Sequence, residues 1–134
     1  MDKLEYIPGD LVKFATNNYT IVNFEENFLH NKICYALIST NSTKTAFVAD
    51  RDILPIPLTP EILEKNGWRT QNRWYYYLDV AEGFISYIGI DFKHKSNKGH
   101  LYVEVDRNNM VEIQYCHELQ HFLFGLGLNS EMEV

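Results

Sequence analysis

Over residues 1–57 the apolar positions fall in short runs separated by turn residues, without helical spacing. Pro8-Gly9-Asp10 reads as a turn and Leu11-Val12-Lys13-Phe14 as the strand that leaves it. Asn17-Asn18 precedes Tyr19-Thr20-Ile21-Val22-Asn23-Phe24, where apolar and polar residues partly alternate. Residues 33–39 form a third run, and 45–48 a fourth after Asn41-Ser42-Thr43. Short strands with tight polar connections predict a small, strongly bent sheet.

The pattern changes near residue 57. In Asp50-Arg51-Asp52-Ile53-Leu54-Pro55-Ile56-Pro57 each proline removes a backbone donor and biases its predecessor toward extended geometry, which predicts a stiff connector. A helix should then start at Thr59-Pro60-Glu61 and stop at Asn66-Gly67, because Thr suits the cap, Pro the first turn and Gly the exit. Strands are expected at 73–80, 84–92 and 100–105, with Ala81-Glu82-Gly83 as a hairpin loop, 94–99 as a longer polar loop and a short strand at 110–113. A final helix is expected from about 114 to 125. Gly9-Asp10-Leu11-Val12-Lys13 at the head of the first sheet resembles the opening of SH3-like barrels. The expected fold class is therefore α+β: a small SH3-like β-barrel over residues 1–57, followed by a helix–antiparallel meander–helix module over 58–134.

Composition narrows the function. The chain has 134 residues, 46% apolar, with 12 basic against 18 acidic side chains and a formal charge of −6. Residues 1–57 hold five basic and seven acidic residues, and 58–134 hold seven and eleven, so neither module hides a basic surface. That excludes a generic grip on bulk nucleic acid or on an anionic membrane. No apolar run reaches the roughly 18 residues of a membrane span, and MDKLEY lacks a signal-peptide core, so a cytoplasmic location is expected. Cys34 and Cys116 form no C-x-x-C pair and are expected as buried thiols.

One string has the look of catalysis. His117-Glu118-Leu119-Gln120-His121 matches H-E-x-x-H, in which two His one turn apart hold Zn²⁺ and the Glu acts as general base. With about 100° per residue, however, Cys116, Leu119, Leu123 and Leu126 form one apolar stripe and put His117, Glu118 and His121 on the opposite, solvated arc. The longer motif would also require Gly and His where Phe124 and Gly127 stand. There is no phosphate-binding Gly loop and no G-x-S-x-G, and each cysteine sits in an apolar run that would raise its pKa. No catalytic residue, metal or cofactor is therefore expected.

The aromatic run is more informative. Trp74 and Tyr76 should point to one face of a strand, Tyr75 and Tyr77 to the other. One set can be core, and the other must be covered by a helix, a partner or a ligand. With Asn72 nearby, Trp68, Arg69, Arg73, Trp74, Tyr76 and Lys93 are the expected ligand-binding residues, able to stack a base and hold a phosphate. The loop Lys93-His94-Lys95-Ser96-Asn97-Lys98 adds local positive charge.

Two longer segments carry a resemblance. The run Asp52-Ile53-Leu54-Pro55-Ile56-Pro57-Leu58-Thr59-Pro60-Glu61-Ile62-Leu63-Glu64-Lys65-Asn66-Gly67-Trp68 and the closing Tyr115-Cys116-His117-Glu118-Leu119-Gln120-His121-Phe122-Leu123-Phe124 are similar to a family of small uncharacterised proteins of Bacteroides-type phages and prophages. The likeness spans nearly the whole chain. The family mostly has Asn where His121 stands, so the second zinc ligand is a feature of this member. The resemblance implies a phage-linked setting, where small acidic proteins bind and block something, some as sponges for nucleotide-derived signals of bacterial immunity. The leading expectation is a non-catalytic binding protein that captures such a nucleotide-like small molecule, as a homo-oligomer. The alternatives are an SH3-like adaptor for a host or virion protein and a zinc-dependent hydrolase.

Overall fold

The structure is a computed structural model and describes residues 6–15, 17–27, 32–39, 45–49, 52–80 and 85–134; at 23–27, 32–34, 39 and 45–46 it describes the backbone alone. The expected hairpin loop at 81–83, the turn at 41–43 and the side chain of Cys34 lie outside the described residues. The fold is mixed and mostly β, with two antiparallel five-stranded sheets and two helices among the described residues. The chain divides into two compact units, residues 1–56 with 115–132 and 134, and residues 57–114 with 133.

The first unit holds β1 (Leu11–Phe14), β2 (Asn17–Asn27), β3 (Lys32–Ser39), β4 (Thr45–Ala49) and β5 (Ile53–Pro55), in the order β4-β3-β2-β1-β5. Its sheet wraps Tyr6, Val12, Ile21, Tyr35, Leu37, Val48 and Ile53, the inward set that period-2 alternation selects. A register shift between Ile21 and Asn23 leaves Val22 as an inserted residue, and such bulges increase the local twist of a strand. β5 corrects the expected connector. Ile53-Leu54-Pro55 pairs with Phe14, Lys13 and Val12 as an edge strand, where a proline's missing N–H costs no ladder bond.

The last helix, α2 (Cys116–Gly125), also belongs to this unit and not to the second module, in which the sequence reading had put it. Its Gln120 takes part in long-range bonds that no local pattern encodes. Gln120 Oε1 accepts the Leu11 N–H at 2.9 Å, and its Nε2 donates to the Gly9 carbonyl at 2.9 Å and the Ser130 carbonyl at 3.1 Å.

The second unit opens with α1 (Pro60–Lys65), capped by Thr59 Oγ1, which accepts the Ile62 N–H at 3.3 Å. It exits through Gly67 at φ +85°, a conformation that glycine adopts without Cβ strain. Then follow β6 (Arg69–Thr70), β7 (Tyr75–Asp79), β8 (Tyr87–Asp91), β9 (Leu101–Val105) and β10 (Asn108–Ile113), each paired with its neighbours in sequence. The expected strand at 73–80 starts two residues late because Arg73 has φ +68° in a turn. Thr70 Oγ1 and Asn72 Oδ1 hold that turn by accepting the N–H groups of Arg73, Trp74 and Tyr75. Tyr76, Ile88, Ile90, Leu101, Val103 and Ile113 are buried in this unit. No helix among the described residues is long and apolar enough to cross a membrane.

Candidate functional site

The H-E-x-x-H residues are committed to the fold. His117 is only 3% exposed, which corrects the expectation of a solvated arc. Gln120 lies only about 40° from Cys116 on the helical wheel, so the buried arc runs from Leu119 through Cys116 and Gln120 to His117 and is wider than the apolar stripe. Leu126, by contrast, is exposed. The His117 ring stacks on Tyr115 at 5.9 Å and lies 4.9 Å from Tyr6 and 5.6 Å from His121, centroid to centroid. Burial holds its pKa down at about 4, with the nearby His121 adding in the same direction and Glu118 opposing, so the ring is neutral at pH 7.

His121 Nε2 lies 2.7 Å from Asp10 Oδ2, and Asp10 Oδ2 also accepts the Ile7 N–H at 2.9 Å. Burial raises the pKa of Asp10 against the lowering effect of those two bonds. Glu118 Oε1 accepts the Tyr115 N–H at 3.0 Å, the work of a helix cap and not of a general base facing a cleft. No three His, Cys, Asp or Glu side chains converge in metal-holding geometry among the described residues. The side chains of this motif are thus engaged within the fold, His117 by ring packing, Glu118 by the helix cap and His121 by Asp10. Burial also pushes the Cys116 thiol up to about 12, which makes it a poor nucleophile.

The six expected ligand-binding residues do not form one site. Trp68 and Tyr76 are core, 5% and 2% exposed, and the Tyr76 hydroxyl donates to Glu64 Oε1 at 3.0 Å, so neither ring offers a stacking face. Trp74 and Lys93 do come together, with the ammonium 5.3 Å from the ring centroid and His94 edge-on to the same ring at 5.5 Å. Arg73 is exposed in its turn. Arg69 sits with the opposite set of aromatics: its guanidinium lies 5.7 Å from the Tyr77 ring centroid and its Nη1 3.2 Å from Asp79 Oδ2.

That opposite face is where the cavity lies. The sheet register puts Tyr75, Tyr77 and Asp79 of β7 beside Asp91, Gly89 and Tyr87 of β8, and Glu104 of β9 opposite Gly89. A groove of about 360 Å³ runs along this face, lined by Tyr75, Tyr77, Asp79 and Tyr87, by Gln71 and Asn72 of the β6–β7 turn, and by Arg107. Gly89 is essential to its floor. A Cβ there would land on the hydroxyl and Cζ of Tyr75, so the missing side chain is what lets the Tyr75 ring cross the strand. Its hydroxyl then donates to Glu104 Oε2 at 2.7 Å, and burial together with Glu104 raises its pKa, so the phenol stays protonated.

Arg107 enters from the two-residue turn that joins β9 to β10. Asp106 and Arg107 have φ +48° and +74°, the double left-handed pattern of a type I′ turn, in which Gly is the unstrained choice for the second position. Asp106 fixes the turn against β8: its carboxylate accepts the Ser86 N–H at 3.0 and 3.2 Å and the Tyr87 N–H at 3.1 Å. Among the described residues Arg107 has no acidic partner, so its charge is available to the groove.

The strand alternation itself separated Tyr75 and Tyr77 from Trp74 and Tyr76. The sign that they face outward was Asp79, which continues their phase, whereas apolar Leu78 continues that of Tyr76. Tyr87 and Arg107 carried no such local mark. No family model, curated protein or solved structure matches the chain.

Proposed function

We propose that this is a non-catalytic binding protein of the phage type, which sequesters a small nucleotide-derived signal in the tyrosine groove of its second unit and so acts as an anti-defence sponge. The observation that carries this reading is the meeting of three tyrosine rings with Arg107, an unpaired cation among the described residues held in a strained turn. Rings provide stacking surface for a base, a guanidinium matches a phosphate, and the amides of Gln71 and Asn72 supply polar contacts. A volume of about 360 Å³ is within the range of small-molecule sites. The site differs from the one read in the sequence, since Tyr75, Tyr77, Tyr87 and Arg107 replace Trp68, Tyr76 and Trp74. The phage-linked setting, the host cytoplasm and the homo-oligomeric state belong to the same proposal and rest on the family resemblance. Calorimetry of the full chain against cyclic dinucleotides and ADP-ribose derivatives tests it. Saturable binding that Arg107→Ala weakens by about tenfold or more is expected. Silence with every compound removes the reading.

A second reading has an observation of its own. Phe47 on edge strand β4 and Leu54 on edge strand β5 are 69% and 54% exposed, and large exposed apolar groups on sheet edges suit a protein partner. A sheet in which β5 returns to pair with β1 is compatible with an SH3-like barrel, and the first unit would then be an adaptor for a host or virion protein. The full chain used as bait should lose its partner on Phe47→Asp or Leu54→Asp. A capture that ignores both changes counts against the adaptor.

A further inference from the structure

The carboxylates on the groove face are not equivalent. Asp91 is buried, and both its oxygens are engaged: Oδ1 accepts the Lys93 and His94 N–H groups at 2.8 and 2.9 Å, and Oδ2 lies 2.9 Å from His94 Nδ1. Glu104 accepts the Tyr75 hydroxyl. Asp79 alone of the three lines the groove, and its one partner is Arg69, on Oδ2 at 3.2 Å. Both members of that pair are well exposed, at 68% and 62%, so the pair orients the carboxylate without consuming it, and Oδ1 remains open. Asp79 also stands directly opposite Tyr87 in the β7–β8 ladder, and Arg107 lines the same groove from the β9–β10 turn. The Tyr77 ring already carries the Arg69 guanidinium, which leaves Tyr87 as the platform nearest Asp79. The groove therefore brings an acceptor, Asp79, and a cation, Arg107, together with the Tyr87 ring.

From this juxtaposition we infer that the groove selects a guanine base, with Asp79 accepting from the base edge and Arg107 holding the phosphate. The inference rests on the groove being the nucleotide site proposed above. Guanine presents a ring N–H and an amino N–H side by side, and a carboxylate accepts such a pair on its two oxygens, as it does from the fork of an arginine. Adenine offers an amino donor beside a ring acceptor, and the acceptor lone pair would face the anionic Asp79. A hydrogen bond to a charged group is worth enough to separate the two bases by about tenfold or more.

Calorimetry of the full chain with GMP and with AMP, on the wild type and on Asp79→Asn, decides the matter. The side chain removed is exposed, and thermal unfolding confirms that the variant folds. GMP should bind about ten times more tightly than AMP or better, and the ratio should fall to one or below in Asp79→Asn, whose amide offers both a donor and an acceptor and no longer repels the adenine edge. Equal affinities in the wild type, or a guanine preference that survives Asp79→Asn, would overturn the base assignment and leave the groove reading standing. Binding of neither mononucleotide also ends the guanine assignment. If cyclic dinucleotides and ADP-ribose are silent as well, the groove reading falls with it.

Discussion

Two clusters of polar side chains in this molecule are opposites in how they are satisfied. On α2, His117, Gln120 and His121 face inward, and Gln120 and His121 are bonded to Leu11, Gly9, Ser130 and Asp10 of the same unit. On the β7–β8 face, Tyr77, Tyr87 and Arg107 line a groove, and the guanidinium of Arg107 has no acidic partner among the described residues. The first cluster carries the string that looks like catalysis, and the second carries no motif. The difference teaches that residue type and spacing say which chemistry a chain can do, whereas the bonds already made say which chemistry is left to do. A polar group with its valences filled inside the fold is a structural group, whatever string it belongs to.

If that contrast is right, disturbing α2 should cost stability, and disturbing the groove should cost binding. The largest effect expected is on α2 and is set by pH. The unfolded chain protonates His117 near 6.5, the ordinary value for histidine, whereas the buried ring resists protonation down to about 4. Between those values the unfolded state binds the extra proton, so stability present above pH 6.5 is lost as the pH falls toward 4. The loss approaches about 3 kcal/mol for this one group. Asp10 opposes it at the acid end, because its raised pKa makes protonation favour the fold there. Urea unfolding across the window should show the slope, and His117→Phe, which retains a ring against Tyr115 and Tyr6, should flatten it. An unchanged slope in the variant would mean that His117 is solvated after all. Next in size is Gln120→Leu. It leaves the buried Leu11 N–H without its acceptor and should cost about 2 kcal/mol, read as a fall in urea midpoint.

These two residues also mark where the sequence stopped being informative. Period-2 alternation and turn chemistry were sufficient to find the runs that became β1, β7 and β9, because both signals are local. Thr59, Pro60 and Gly67 likewise marked the ends of α1 correctly. The partner of α2 was not legible, since Gln120 and Leu11 are 109 positions apart and no spacing rule links them. Gln120 itself was hidden because a wheel scored only on apolar residues leaves an inward amide on the wrong side. β5 was missed for a different reason: the two prolines outweighed Ile53 and Leu54, although an edge strand tolerates what a central one does not. In the candidate site the alternation of 74–77 was legible, and the burial of Trp68 and Tyr76 was not. The place of Arg107 in the groove lining was not legible, because it depends on a turn pinned to another strand by Asp106.

Gly89→Ala tests the groove side of the contrast. The new methyl must push the Tyr75 ring off the strand and break its bond to Glu104, which costs about 1 to 2 kcal/mol by overpacking. The larger consequence should be for binding, because Tyr75 is part of the groove floor. A variant that loses stability but binds as the wild type would show that the ring plays no part in recognition.

The smallest change in stability is expected from Arg107→Gly, and its sign is the informative part. A residue with a Cβ at φ +74° in a type I′ turn is strained by about 1 kcal/mol, and glycine at that position is not. The Asp106 bonds that fix the turn remain, so the substitution should raise the melting temperature slightly, by a few degrees at most for a chain of this size. It should also remove the cation that lines the groove and with it most of the affinity for a phosphate-bearing ligand. Gain of stability together with loss of binding is the pattern of a strained residue retained for function. If Arg107→Gly is less stable than the wild type, the arginine is supporting the turn, and the groove loses its strongest claim to be a site.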